Sequence, residues 1–275
     1  MKVGLYLRNM GPQSTRTLIA EAARAAEEAG VDDLWVADHL AIAPEESEGS
    51  DGRYLEPLAT LAFLAGITER IGLGVGVLIV PYRPAFLSAK WAATIQELSG
   101  GRFILGVGVG WMDKEFRALG VDPRRRGAIT DETLAFWLRC FARDEVEANG
   151  QRFLFRPRPP RPPIIVGGAP PHAIRRAVRF GDGWMPMARH ADVLETGIAD
   201  LRQGMAAAGK PPPEVVLLQP LPLEDDAKLT ARLRELAALG VTRVVHPWRY
   251  QDAEDVARVA ARLVAARAAV SPTVR

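Results

Sequence analysis

Asp38 and His39 stand together just after the short apolar run 33–37, which places a carboxylate and an imidazole at the end of an extended segment. Histidine changes charge near neutral pH, so at a reacting centre it can donate or accept a proton. The competing reading is structural: an Asp that caps the following helix and a His that packs. Three glycine-marked stretches add a second kind of chemistry. Gly74 and Gly76 interrupt the apolar run LGVGVLIV, where glycine weakens a strand unless backbone or a flat ligand must come close. Gly106-Val107-Gly108-Val109-Gly110-Trp111 ends the next apolar run, and Val166-Gly167-Gly168-Ala169-Pro170 leads into a helical pattern that begins at His172. Backbone N–H groups free of side chains at a helix N-terminus form a phosphate cradle, although a tight left-handed turn without ligand uses the same glycines.

Such residues need a scaffold that gathers them from distant parts of the chain. Short β-branched runs at 2–7, 33–37, 73–78, 103–109, 163–166, 183–186, 215–218 and 243–246 alternate with helical patterns at 15–29, 57–67, 85–98, 129–141, 172–179, 193–208, 227–239 and 252–268. Eight such pairs predict a (β/α)8 TIM barrel with loop insertions and a small β-hairpin, expected to form one domain over 1–275. Ser14 or Thr15 can cap the first helix, and Gly30 stands where a left-handed residue would end it. Catalytic groups of a barrel lie at the C-terminal ends of its strands, which is where Asp38, His39 and the glycine clusters fall.

Two stretches break the alternation. The acidic, Gly/Ser-rich segment 42–53 has no core-forming residues and is expected to be a mobile flap over the site. Residues 145–155 contain Asn149-Gly150, a type I′ turn signal between two short strands, followed by the proline-rich stretch 156–163, read as a stiff connector.

Composition narrows the function. The net charge is only +2, with 35 basic and 33 acidic residues interspersed, so nucleic acid is not expected as a partner. No stretch approaches the roughly 20 apolar residues of a membrane span, and the N-terminus lacks a signal-peptide pattern, so a cytoplasmic protein without a membrane partner is expected. Cys140 is the only cysteine and sits in an apolar helical pattern, which excludes a disulfide within the chain and predicts a core thiol. His190 and His246 have no partners at metal-ligand spacing, so no metal is assigned. The stretch GVGVG lacks the final glycine of a dinucleotide fingerprint and follows the fourth strand instead of opening the fold.

Taken in order, Trp35-Val36-Ala37-Asp38-His39, the run Ile71 to Val77, Gly100-Gly101-Arg102-Phe103, Gly106 to Trp111 with Glu115-Phe116, Ile165 to Gly168, and Gly181-Asp182-Gly183-Trp184 resemble the luciferase-like monooxygenase family. The pattern GVGVGWxxxEFxALG with a short VGG loop is most similar to the branch that uses coenzyme F420, a 5-deazaflavin. The resemblance implies a flavin-type cofactor at the strand C-termini, a small-molecule substrate and a homodimer. By the same resemblance Asp38 contacts the cofactor, and His39 sits near the reacting carbon as proton donor or electrostatic partner. Gly76-Val77 corresponds to a non-prolyl cis peptide against the ring, and Gly108, Val109, Gly167, Gly168 and Ala169 line the ring edge and the phosphate. In the family's sugar-phosphate dehydrogenases a glutamate stands at the position of Val109, so that activity is not expected. Three readings follow: an F420-dependent oxidoreductase moving hydride to or from a small organic substrate, an FMN-dependent monooxygenase on the same barrel, and a flavin-binding barrel without turnover. Further candidates carry open alternatives: Arg124-Arg125-Arg126 and His172 as anion contacts or solvated residues, and Trp111, Trp184 and Trp248 as pocket walls or core.

Overall fold

In the computed structural model, which describes residues 1–47, 49–187 and 191–270, eight parallel strands close into a barrel. They are β1 (Lys2–Tyr6), β2 (Asp33–Val36), β3 (Gly72–Ile79), β4 (Phe103–Gly108), β7 (Ile164–Gly168), β8 (Gly183–Pro186), β9 (Glu214–Leu218) and β10 (Arg243–His246), with β1 pairing both β2 and β10. Between β4 and β7 an antiparallel hairpin, β5 (Glu145–Ala148) and β6 (Gln151–Leu154), turns through Asn149 and Gly150, whose φ values of 51° and 75° are those of a type I′ turn.

The helices are α1 (Arg16–Ala29), α2 (Pro57–Ala65), α3 (Ala85–Leu98), α4 (Asp113–Ala118), α5 (Arg126–Ala142), α6 (His172–Phe180), α7 (Ala191–Ala207), α8 (Asp226–Leu239) and α9 (Ala253–Val270). The Thr15 hydroxyl accepts the Leu18 N–H at the start of α1, and Gly30 ends it at φ 84°, a conformation that a Cβ disfavours. Two features depart from expectation. The short helix α4 precedes α5, and α5 begins at Arg126 because a turn over Pro123–Arg125, capped by Asp122, runs directly into it.

Alternation along the strands separates two apolar layers. Tyr6, Trp35, Ile104, Ile165, Met185, Val216 and Val245 fill the barrel interior, while the opposite strand faces meet the helices in a larger core that includes Cys140. The floor of the barrel is polar but closed. Arg243 pairs with Asp33 and, at 3.0 Å, with Glu214, and the Trp35 indole N–H donates to Asp33. Gly4 leaves the space that the Asp33 carboxylate occupies. No helix among the described residues is long and apolar enough to cross a membrane.

Segment 42–53 is not detached from the body. The Gly11 amide donates to the Arg53 carbonyl, Arg53 holds Ser14 through its Nε, and Arg8 donates to the Gly49 carbonyl at 3.3 Å. Ser50 is buried, and Glu45 pairs with Lys114 of α4. The acidic residues that made this stretch look like a free flap serve partly as anchors.

Candidate active site

The mouth of the barrel is organised from the end of β1. Asn9 donates to the carbonyls of Ala37 and Leu55 and accepts the Ala37 N–H, so one buried amide fixes the turn that presents Asp38 and His39. From there the two neighbours diverge. The Asp38 carboxylate has no exposed surface; it accepts two bonds from Arg83, at 2.7 and 2.8 Å, and one from the Ile79 amide. Arg83 in turn holds Glu56 at the start of α2. Asp38 therefore ties the ends of β2 and β3 together, its carboxylate held by a guanidinium fork and a backbone N–H.

The His39 ring stays at the mouth with 18% of its side chain exposed. Its Nδ1 lies 2.9 Å from Oε2 of Glu115, a residue of α4 with no exposure. The same Oε2 accepts the Tyr82 hydroxyl at 2.9 Å, while Oε1 accepts the amides of Leu40 at 2.5 Å and Ala41 at 3.0 Å. Burial alone would raise the Glu115 pKa, but the bonds from His39 and the two amides outweigh it and bring it down to about 2. An ionised Glu115 only accepts, so His39 Nδ1 carries a proton toward it. Tyr54 and Trp111 meet the imidazole edge-on, at 5.1 and 6.5 Å between ring centres, and Trp111 is 64% exposed.

On β3, the strand beside β2, the Gly76–Val77 peptide is cis, and the β3–β4 register shifts between Val75 and Leu78. The Val77 side chain turns into the barrel, where a Cβ on Gly108 would lie 2.6 Å and one on Gly167 2.8 Å from its methyl groups. These two glycines make room for Val77, a nearer reason for their presence than a cofactor. Val77 joins Met10, Ala37 and Leu218 as partly buried apolar residues over the interior core, a surface that fits a flat ring. Val109 follows the end of β4, before Gly110.

Gly168, at φ 129°, has only the Ala173 methyl near its missing Cβ, so the turn into α6 is open. Its carbonyl accepts the Trp184 indole N–H at 2.8 Å. Pro170 and Pro171 carry no N–H, which leaves the cradle fewer donors than its glycines suggest.

The family model for luciferase-like monooxygenases matches residues 2–271. The chain belongs to that family. It is 32% identical to an uncharacterised protein of Mycobacterium bovis over 90% of this chain and 92% of that protein. Among solved structures, the monooxygenase RslO1 from Streptomyces bottropensis is similar with a TM-score of 0.81 at 21% identity, covering 96% of this chain and 98% of that one. An F420-dependent secondary alcohol dehydrogenase in complex with an F420-acetone adduct is similar with a TM-score of 0.80 at 18% identity, covering 98% and 99%. The fold is thus one that luciferase-like monooxygenases share with F420-dependent enzymes.

Within this luciferase-like barrel the other candidates separate. Trp111 stands at the mouth, whereas Trp184 is fully buried beneath Gly197 of α7. Trp248 stacks between His246 and Tyr250. His246 is buried, accepts the Leu221 amide at Nδ1, and is pushed down to about 4 by desolvation. Of the three arginines, Arg125 lies 3.7 Å from Glu132 and Arg126 caps the Pro123 carbonyl, and His172 bonds Arg175 on the surface. His190 lies outside the described residues. Glu115 is the partner that sequence reasoning did not assign: it appeared only as part of a family pattern, and a separation of 76 residues from His39 leaves no local signal.

Proposed function

We propose that this chain is a coenzyme F420-dependent oxidoreductase that moves a hydride between the deazaflavin and a small organic substrate at the barrel mouth. The observation that carries the reading is the placement of His39, held through Nδ1 by a buried carboxylate and facing the same mouth as the Val77 surface. The residues present suit a flat ring with an anionic tail: Val77, Ala37, Met10 and Leu218 as an apolar seat, and the open turn at Gly168 and Ala169 at the start of α6. A bound deazaflavin supplies a carbon centre that accepts or donates hydride. The chain supplies the proton management. With Nδ1 committed to Glu115, Nε2 of His39 is the atom that takes a proton from an alcohol or returns one to a carbonyl oxygen. Tyr54 and Trp111 border that imidazole edge-on.

The test is a titration of the purified protein with F420 and, separately, with FMN, followed by anaerobic turnover with secondary alcohols and enones. Tight F420 binding with weak FMN binding, and substrate-dependent reduction of F420, support the proposal. Tight binding of FMN alone, with oxygen consumption in its reduced form, replaces it with the monooxygenase reading, which the similarity to RslO1 favours.

A further inference from the structure

Glu115 uses every acceptor position it has inside the protein. Two backbone amides, Leu40 and Ala41, take Oε1; the Tyr82 hydroxyl and the His39 Nδ1 take Oε2. The residue has no exposure, so none of the four partners can be replaced by water without moving α4. Asp38, the carboxylate next to His39 in sequence, cannot share this task because both its oxygens are held by Arg83 and Ile79.

We infer that Glu115 is the positioning residue that fixes the tautomer of His39, keeping the proton on Nδ1 so that Nε2 presents its lone pair to the substrate. This rests on the reading of His39 as the proton-handling group. Three of the four groups around Glu115 can only donate or prefer to donate, and an ionised carboxylate accepts from all of them. The imidazole then has one choice of tautomer. The device is built from three elements: the turn after β2 supplies the imidazole and two amides, the turn after β3 supplies Tyr82, and α4 supplies the carboxylate.

Replacing the carboxylate by an amide of equal size turns the device over. In Glu115→Gln the single carbonyl oxygen accepts the Leu40 and Ala41 amides, and the NH2 group faces Tyr82 and His39. The Tyr82 hydroxyl rotates and accepts. The imidazole accepts only by losing the proton from Nδ1, which moves it to Nε2 and removes the base from the mouth. In the Ser-His-Asp triad the corresponding carboxylate-to-amide exchange leaves geometry intact and costs about 10⁴ in kcat through the wrong tautomer.

The experiment is imidazole ¹⁵N spectroscopy of the protein in its F420-loaded and cofactor-free forms, with the His39 signal assigned by its loss in His39→Gln. The chain has only 4 histidines, which keeps the assignment tractable. Wild-type protein is expected to show the neutral ring protonated at Nδ1, and Glu115→Gln the ring protonated at Nε2, with F420 affinity retained and single-turnover hydride transfer slowed about 10²- to 10⁴-fold. Tyr82→Phe, which removes one donor and leaves the carboxylate, is expected to keep the wild-type tautomer and lose only a few-fold in rate. A wild-type ring protonated at Nε2, or a Glu115→Gln protein with the wild-type tautomer and rate, overturns the inference. The wild-type spectrum decides the matter even where Glu115→Gln does not fold. Because that spectrum needs no cofactor, failure of F420 to bind would count against the proposed function and not against the tautomer assignment.

Discussion

Buried carboxylates stand at both ends of the barrel, Asp33 at the floor and Asp38 and Glu115 at the mouth, and Asp33 and Glu115 serve opposite ends. At the floor Asp33 faces the Arg243 guanidinium and the Trp35 indole, and Arg243 reaches on to Glu214. Charge meets charge, and no lone pair on Asp33 points at open space. At the mouth Glu115 faces an imidazole, a phenol and two amides, and it leaves one nitrogen of His39 without a hydrogen-bond partner among the described residues. A buried carboxylate closed by a guanidinium is a structural plug; one closed by an imidazole passes its influence to a group that can still react. This matches the general division of such barrels into a stabilising N-terminal face and a catalytic C-terminal face.

Asp33→Ala leaves the Arg243 guanidinium buried without its main partner and is expected to cost about 3–5 kcal/mol of unfolding free energy in urea titration. Hydride transfer in the surviving folded fraction should stay near the wild-type rate; a floor variant that lost chemistry at unchanged stability would dissolve the distinction. Next in size is Gly167→Ala, whose new methyl lies 2.8 Å from Val77 and 3.3 Å from the Val107 carbonyl. Overpacking of this kind costs about 1–3 kcal/mol, and Val77→Ala in the same chain should return most of it if Val77 is what the glycine accommodates.

Acid sharpens the contrast further. Glu115 has a folded pKa of about 2 against 4.5 in the unfolded chain, so its contribution is complete above pH 4.5 and disappears as the pH falls toward 2. His246 is held neutral by burial, at about 4 against 6.5, so its contribution is complete above pH 6.5 and is lost as the pH falls through 4. Stability measured by urea titration should therefore decline in two overlapping steps on acidification. His246→Phe should flatten the upper step alone, and Glu115→Gln the lower alone. The smallest effect belongs to the rim: Trp111→Ala is expected to raise KM a few-fold with little change in kcat, since the ring borders His39 but carries no polar contact to it.

Much of this molecule was legible before folding was considered. Short β-branched runs alternating with helical patterns specify eight βα units, and each strand run lies within a few residues of its place in the barrel. Asn149-Gly150 announced the hairpin because few residues tolerate two successive positive φ values. His39 was legible because position after a strand end is itself a signal in a barrel. Side-chain direction was not legible. Asp38 and His39 are neighbours in sequence, yet one is drawn toward Arg83 and the other toward Glu115, and both attractions come from residues more than 40 positions away. The glycines of β4 and β7 announced a close approach without saying of what, because the approaching group is Val77 on another strand. The 42–53 segment looked free because its anchors, Arg8, Ser14 and Lys114, lie outside it.

The central claim is that His39 at the mouth handles the proton of a hydride transfer. Its most direct test is anaerobic single-turnover kinetics of F420-loaded wild-type and His39→Ala protein with the same alcohol substrate. Retained F420 affinity with hydride transfer slowed by about 10²-fold or more is the predicted result, the usual range for a positioned acid or base. Equal single-turnover rates in the two proteins would contradict it.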